Sequence, residues 1–375
     1  SSSPLSPLSP LSPPTPLPPD TPLQTLNPTQ DLYGDILFQS GRFQRLGSYG
    51  HLRAKECIAE ITPPTNTSWF SLYLPGELVL GDAGARDTAI HALQACIPHA
   101  TILPVGVEKL VIFATQTSGV RYVFAQERSH FDHTFIYDLQ VMTAEGVLLE
   151  QWQGLQLKVV QQQVSQKPWV ETLLIPYLER QISAFFPGLD FRVALERQPQ
   201  RQRRVNSNGL RPGTALADHT IEQAIGVNLP IFRRPDGKPE VLSKLTVSAA
   251  HAGNLTLAIA SDVKVSCDLE FVVERTSNDW QTLLGSEHFL LSQAIVKAGN
   301  EDQNTAATRV WTAIECLQKA GSMVNTPLSL SSVNTQGWVS LNAGSLLIVT
   351  FATYLRGIDN PLIIAILSSQ RLLRN

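Results

Sequence analysis

From Asp31 to about Val164 the apolar positions alternate with polar ones over short runs, the period of half-buried strands. The alternation predicts strands over Arg53 to Ile61, Leu110 to Ala114, Arg121 to Gln126, Thr134 to Met142 and Gly154 to Val160. One stretch, Ala85 to Cys96, carries helical spacing and stops before Pro98. A curved antiparallel sheet around one helix accounts for this pattern. Pro168 to Phe186 is a second amphipathic helix, with Trp169, Leu173, Tyr177 and Ile182 on its apolar face and Pro187-Gly188 as its stop.

Beyond a polar, basic stretch from Gln198 to Pro212 the pattern changes to α+β. Thr220 to Ala224 starts a short helix. Strands are expected at Leu245 to Ser248, Leu255 to Ala260 and Val263 to Val273, with His251-Ala252-Gly253-Asn254 as the connection between the first two. Trp280 to Leu284 is helical, and Thr305 to Ala320 is a strong helix capped by Gly321. Trp338 to Asn342, Ser345 to Tyr354 and Leu362 to Leu367 close the sheet.

The first ~24 residues repeat Ser-Pro-Leu, and proline at that density blocks both helices and sheet ladders. The domain plan is therefore a Ser/Pro-rich linker over 1–30, a sheet-and-helix domain over 31–165, a helix and basic linker over 166–214, and an α+β domain over 215–375. A linker at the head of a chain whose first residue is Ser1 predicts further sequence upstream.

Composition adds constraints. With 43% hydrophobic residues, 375 residues suffice for two cores, and a net charge of −3 excludes a polycationic nucleic-acid or membrane binder. The run Arg201, Arg203, Arg204 is read as a solvated linker. Cys57, Cys96, Cys267 and Cys316 form no CxxC pair, which predicts thiols in a reducing compartment. No secretory leader or bilayer-length apolar stretch is visible, and a cytoplasmic location follows as the default.

Two sets of residues carry candidate chemistry. Asp268 and Glu270, two apart on a strand, share a side, and two carboxylates there need either solvent or a cation between them. On the helix Thr305 to Ala320, Trp311, Glu315 and Lys319 are four apart and line one face. Lys238 lies in the tight turn Gly237-Lys238-Pro239, and His251 stands beside a glycine. Each feature alone has a bland alternative: a surface ion pair, a turn lysine, a surface histidine. In the other half, Asp87 and His91 stand at i, i+4 on one helix face.

The ordered series Gly237-Lys238-Pro239, His251-Ala252-Gly253, Asp268-Leu269-Glu270 and Trp311-x-x-x-Glu315-x-x-x-Lys319 resembles the phosphopantetheinyl transferase family, in the version fused to the C-terminus of iterative, enediyne-type polyketide synthases. The resemblance implies that Asp268, Glu270 and Glu315 hold Mg2+, that Lys238 and His251 bind coenzyme A, and that Glu315 and Lys319 are catalytic, with Lys319 on phosphate. The implied activity is transfer of the phosphopantetheine arm to a serine of an acyl carrier protein of a polyketide synthase. Ile314 stands where the family carries lysine before the helix glutamate, and Cys267 where it carries glycine.

Leu32-Tyr33-Gly34 through Gln44, together with Arg86 to His91, resembles the second hot-dog half of a polyketide synthase dehydratase. The implied fold class is α+β: a hot-dog half-domain followed by a transferase-like domain. Asp87 and His91 would be a dehydratase half-site, because no histidine of the chain has the His-x-x-x-Gly-x-x-x-x-Pro surroundings of the family's base. The alternative expectation is an inactive polyketide synthase fragment, an incomplete dehydratase with a carrier-docking domain. In a third reading an upstream polypeptide supplies the missing half. A homodimer is expected by analogy with hot-dog domains.

Overall fold

The computed structural model describes residues 26–64, 78, 80–115, 118–162, 168–198, 214–322 and 326–369, with the side chains of 214–216 left out. The expected linker up to residue 25 and the run Arg201, Arg203, Arg204 lie outside the described residues. The chain divides into two compact units, residues 1–95 with 101–161, and 96–100 with 162–375.

In the first unit, regular structure occurs within the last residues of the expected linker. Pro28–Asp31 forms one helical turn, α1, because Asn27 accepts the amides of Thr29 and Gln30. Then follow β1 (Leu46–Leu52), β2 (Glu56–Ile61), helix α2 (Ala83–His91), β3 (Ala100–Gly106), β4 (Lys109–Ile112), β5 (Arg121–Phe131), β6 (Thr134–Thr143) and β7 (Leu148–Gln162). They make one seven-stranded sheet in the order β1-β2-β5-β6-β7-β3, with β4 also on β7. This is the curled antiparallel sheet expected of a hot-dog fold. Buried and half-buried residues alternate along β2 and the first half of β5, which leaves one face for the core.

Helix α2 reaches that face because its inward positions are small: Ala85, Ala89 and the following Ala92 are buried. Asp82 caps it, accepting the amides of Gly84 (3.0 Å) and Ala85 (3.2 Å) while ion-paired to buried Arg45. In β7, Gly154 at φ +62° donates its amide to Asp138 at 2.9 Å where the β6–β7 register slips, and an added Cβ would lie 2.2 Å from the Glu108 side chain.

The second unit contains α3 (Glu171–Phe185), β8 (Phe191–Arg197), α4 (Thr214–Ile225), β9 (Ile231–Arg233), β10 (Pro239–Val241), β11 (Thr246–Ala252), β12 (Leu255–Ser261), β13 (Val265–Phe271), α5 (Ser277–Gly299), α6 (Gln303–Lys319), β14 (Ser329–Val333), β15 (Trp338–Ala343), β16 (Leu346–Thr353) and β17 (Leu362–Ser369). The part set aside as helix and linker, 166–214, thus supplies a helix and a strand to this unit. β8 pairs along its whole length with β12. The sheet β11-β12-β8 packs on α4 through Ile221, Ala224 and Ile225, and the sheet β13-β17-β16-β15-β14 packs on α6 through Val310, Ala313 and Leu317. Trp280 lies in a much longer helix than expected, which starts at Ser277 and continues past a kink where Gly285 adopts φ +75°. His251 is a strand residue of β11 and not part of a connection.

All four cysteines are buried thiols. Burial pushes Cys267 up to about 11 and Cys316 well above the ordinary thiol value. Among the described residues no helix is long and apolar enough to cross a membrane.

Candidate functional site

Helix α2 carries the first site. One turn separates Asp87 from His91, and the Asp87 Oδ2 lies 3.1 Å from Nδ1 of the ring. The other nitrogen, Nε2, lies 3.1 Å from the hydroxyl of Tyr33, which takes the amide hydrogen of Leu46 at 3.1 Å. Burial, with the charge of Asp87 adding to it, raises the Tyr33 pKa although the backbone at Leu46 and Arg45 pulls the other way, so the phenol keeps its hydrogen. The His91 side chain is 5% exposed and that of Asp87 37%. Both line a narrow cavity of about 50 Å³ with Phe38, Gln39 and Gln94. A buried ring held at both nitrogens thus orients a half-exposed carboxylate at the cavity. Tyr33 went unassigned in the sequence although Leu32-Tyr33-Gly34 was singled out there; 58 residues separate it from its partner.

The residues expected in the second unit fall into two groups. Lys238, His251 and Lys319 line one cavity of about 860 Å³, together with Arg233, Arg234 and Lys264. Gly237, at φ +85°, closes the turn between β9 and β10 by donating its amide to Arg234 O at 2.8 Å. Lys238 pairs with Asp236 at 3.3 Å, and Arg233 pairs with Asp218. His251 Nδ1 meets Thr256 Oγ1 at 2.9 Å, and burial, then the charges of Lys319 and Arg233, hold its pKa below the usual value.

One member of the acidic group is paired from within. Lys319 Nζ sits 2.7 Å from Asp268 Oδ1 and 3.1 Å from the carbonyl of Cys267. Asp268 Oδ2 is buried without a partner. Burial opposes the charge of Lys319, but Asp268 raises its pKa on balance. Glu270, hydrogen-bonded by the Trp311 side chain, and Glu315 are raised first by burial and then by the charge of Asp268. The three carboxylates therefore feel one another. Yet among the described residues no group of three or more His, Cys, Asp or Glu could hold a metal ion. The Mg2+ site expected from Asp268, Glu270 and Glu315 does not fit this arrangement, because the ammonium of Lys319 is the cation beside Asp268.

Residues 10–167 match the family model described as polyketide synthase dehydratase N-terminal domain. No curated protein matches the chain. Among solved structures, the dehydratase domain from the CurJ module of the curacin polyketide synthase is similar at 13% identity, covering 32% of this chain and 44% of that one, with a TM-score of 0.27. A dehydratase domain of a mycocerosic acid synthase-like polyketide synthase is similar at 17% identity, 32% and 43% coverage and a TM-score of 0.27. The dehydratase domain of RzxB from Pseudomonas fluorescens is similar at 17% identity, 32% and 42% coverage and a TM-score of 0.26. The chain thus spans under half the length of these three domains.

One expectation is corrected by these findings. The matching family model is a dehydratase domain and not a phosphopantetheinyl transferase, which overturns the transferase reading of the function. The matching family model is described as the N-terminal domain of the dehydratase, and the assignment to the second hot dog rests on the sequence motifs alone.

Proposed function

We propose that this chain is an incomplete dehydratase of a polyketide synthase, in which the first unit presents Asp87 as one half of a dehydration site for a carrier-bound 3-hydroxyacyl thioester. The observation that carries the reading is the hydrogen-bonded row Tyr33, His91, Asp87 at the cavity of the curled sheet, and the family match over residues 10–167 supports it. Loss of water needs two groups: a base that removes the proton next to the thioester carbonyl, and a group that protonates the departing hydroxyl as the double bond forms. Asp87 suits the second task. His91 does not suit the first, because both its nitrogens are engaged.

The test is a mass assay for loss of water from a 3-hydroxyacyl carrier protein. The chain alone is expected to give no enoyl product. Addition of a hot-dog polypeptide bearing His-x-x-x-Gly-x-x-x-x-Pro is expected to restore dehydration, and Asp87→Asn to lower the restored rate by about 100-fold or more. Dehydration by the chain alone, failure of the added half to restore it, or an unaffected Asp87→Asn overturns the reading.

For the second unit we infer a binding role. The cavity lined by Arg233, Arg234, Lys238, His251, Lys264 and Lys319 suits a phosphate-bearing ligand, whether coenzyme A or the same arm carried by a carrier protein. Calorimetric titration with coenzyme A is expected to show binding that weakens with salt and falls about tenfold in Lys238→Glu. Equal affinity in both proteins overturns this role.

A further inference from the structure

We propose that Tyr33 is a positioning residue: it locks the His91 ring with hydrogen on Nδ1 and so reserves Oδ1 of Asp87 for a hydroxyl-bearing ligand in the cavity. The catalytic consequence rests on the half-site reading above; the lock itself does not.

The donors and acceptors along the row leave one assignment for a neutral ring. A charged carboxylate accepts only, so the 3.1 Å contact between Asp87 Oδ2 and Nδ1 requires hydrogen on Nδ1. A neutral ring then has a bare Nε2, which must accept. Its neighbour is the Tyr33 oxygen at 3.1 Å, and that oxygen already receives the Leu46 amide at 3.1 Å. The phenol hydrogen therefore points to Nε2. With hydrogen on Nε2 instead, Nδ1 would have no hydrogen to offer Asp87, and the phenol hydrogen would lose its acceptor.

The backbone of β1 thus acts on the carboxylate of α2 through two side chains. Leu46 is the first residue of that strand, and its amide sets the direction of the phenol. The ring is buried, with its side chain 5% exposed, and the Tyr33 ring meets it edge-on at 5.8 Å.

The consequence lies in where a proton on Asp87 can sit. Oδ2 must stay an acceptor for Nδ1–H, so a protonated Asp87 carries its hydrogen on Oδ1. Oδ1 is the oxygen left for the cavity that Asp87 lines. In the proposed dehydration the Oδ1–H bond breaks as the bond from carbon to the departing hydroxyl breaks. The proton leaves in the water, and the carboxylate keeps the electron pair. Asp87 needs no rotation before that transfer.

Nitrogen NMR of the full chain, labelled with 15N in its histidines, tests the lock without any turnover. The His91 signals are assigned by their loss in His91→Gln. The expected spectrum at neutral pH shows hydrogen on Nδ1 and a hydrogen-bonded, unprotonated Nε2. In Tyr33→Phe the Nε2 resonance is expected to move to that of an unbonded nitrogen, and the ratio of Nδ1–H to Nε2–H rings to fall about 2- to 10-fold, the weight of one hydrogen bond. Hydrogen found on Nε2 in the parent chain, or an unchanged Nε2 resonance in folded Tyr33→Phe, overturns the proposal. Should Tyr33→Phe fail to fold, the parent chain still decides: an isotope shift on Nε2 when the phenol hydrogen is exchanged for deuterium supports the lock, and its absence overturns it. None of these signals depends on dehydration, so failure of the half-site and failure of the lock are told apart.

Discussion

Arg309→Ala is expected to lower the unfolding free energy of the second unit by about 3–5 kcal/mol, the cost of breaking a buried charge pair from one side. Arg309 is 1% exposed, in the middle of α6. Its guanidinium spends all five hydrogens. Nε and Nη2 meet the Glu301 carboxylate at 3.0 Å, Nη1 meets Thr350 O at 3.0 Å and Thr350 Oγ1 at 3.1 Å, and Nη2 meets Gly337 O at 3.0 Å. One side chain thereby ties the start of α6 to β16 and to the turn before β15. Removing it leaves the mostly buried Glu301 carboxylate and the Gly337 carbonyl without their donor, and opens a hole in a close-packed core. Arg309→Lys keeps a charge but has three donors and no planar fork, so an intermediate loss is expected. Denaturant-dependent hydrogen exchange of α6 and β15–β17 reads the effect on this unit alone. A loss under 1 kcal/mol for Arg309→Ala would show that these bonds carry no net weight.

The second large effect is expected from pH. Burial, and then the charge of Arg180, lower the His99 pKa to about 4. Its Nδ1 is buried without a partner, and the ring lies 5.5 Å from that of Tyr177. An unfolded chain protonates this ring below about 6.5, whereas the folded one resists until about 4. Between those values the unfolded state binds more protons, so stability falls as pH falls. The full swing is about 3 kcal/mol at most, from the separation of the two pKa values at 1.36 kcal/mol per unit. His99→Leu is expected to lose that slope. Asp268, Glu270 and Glu315, whose raised values work in the opposite direction, are common to both proteins and cancel in the difference. Parallel curves for parent and variant between pH 6.5 and 4 would contradict the expectation.

What could be read in the sequence follows from the range of each interaction. Strands β5, β6 and β7 announce themselves by alternation, and α6 by its fourfold spacing, because these patterns are set by neighbours along the chain. β1 does not, since two register slips against β2 break its period, and its glycines and serine dilute the apolar signal. β8 was hidden by the polar run that follows it, and α5 by Gly285, which interrupts its helical spacing. Asp87 and His91 could be paired from i, i+4 spacing alone. Tyr33 could not, since only the closing of the sheet brings it there. In the second unit, spacing put Asp268 and Glu270 on one side of a strand and Glu315 and Lys319 on one face of a helix; only the family resemblance joined the two, and neither could show that the Lys319 ammonium would settle against Asp268. Adjacency is a matter of period; which cation occupies a site is a matter of three-dimensional reach. The transferase reading was built on the order of four short motifs along the chain.

The sealed thiols give the molecule an internal clock. A thiol whose sulfur is shut away meets a modifying reagent only when its shelter opens. Cys57 sits on β2 of one unit, while Cys267 and Cys316 sit on β13 and α6 of the other. Each fold thus times its own breathing, and the two rhythms can be heard separately in the same chain.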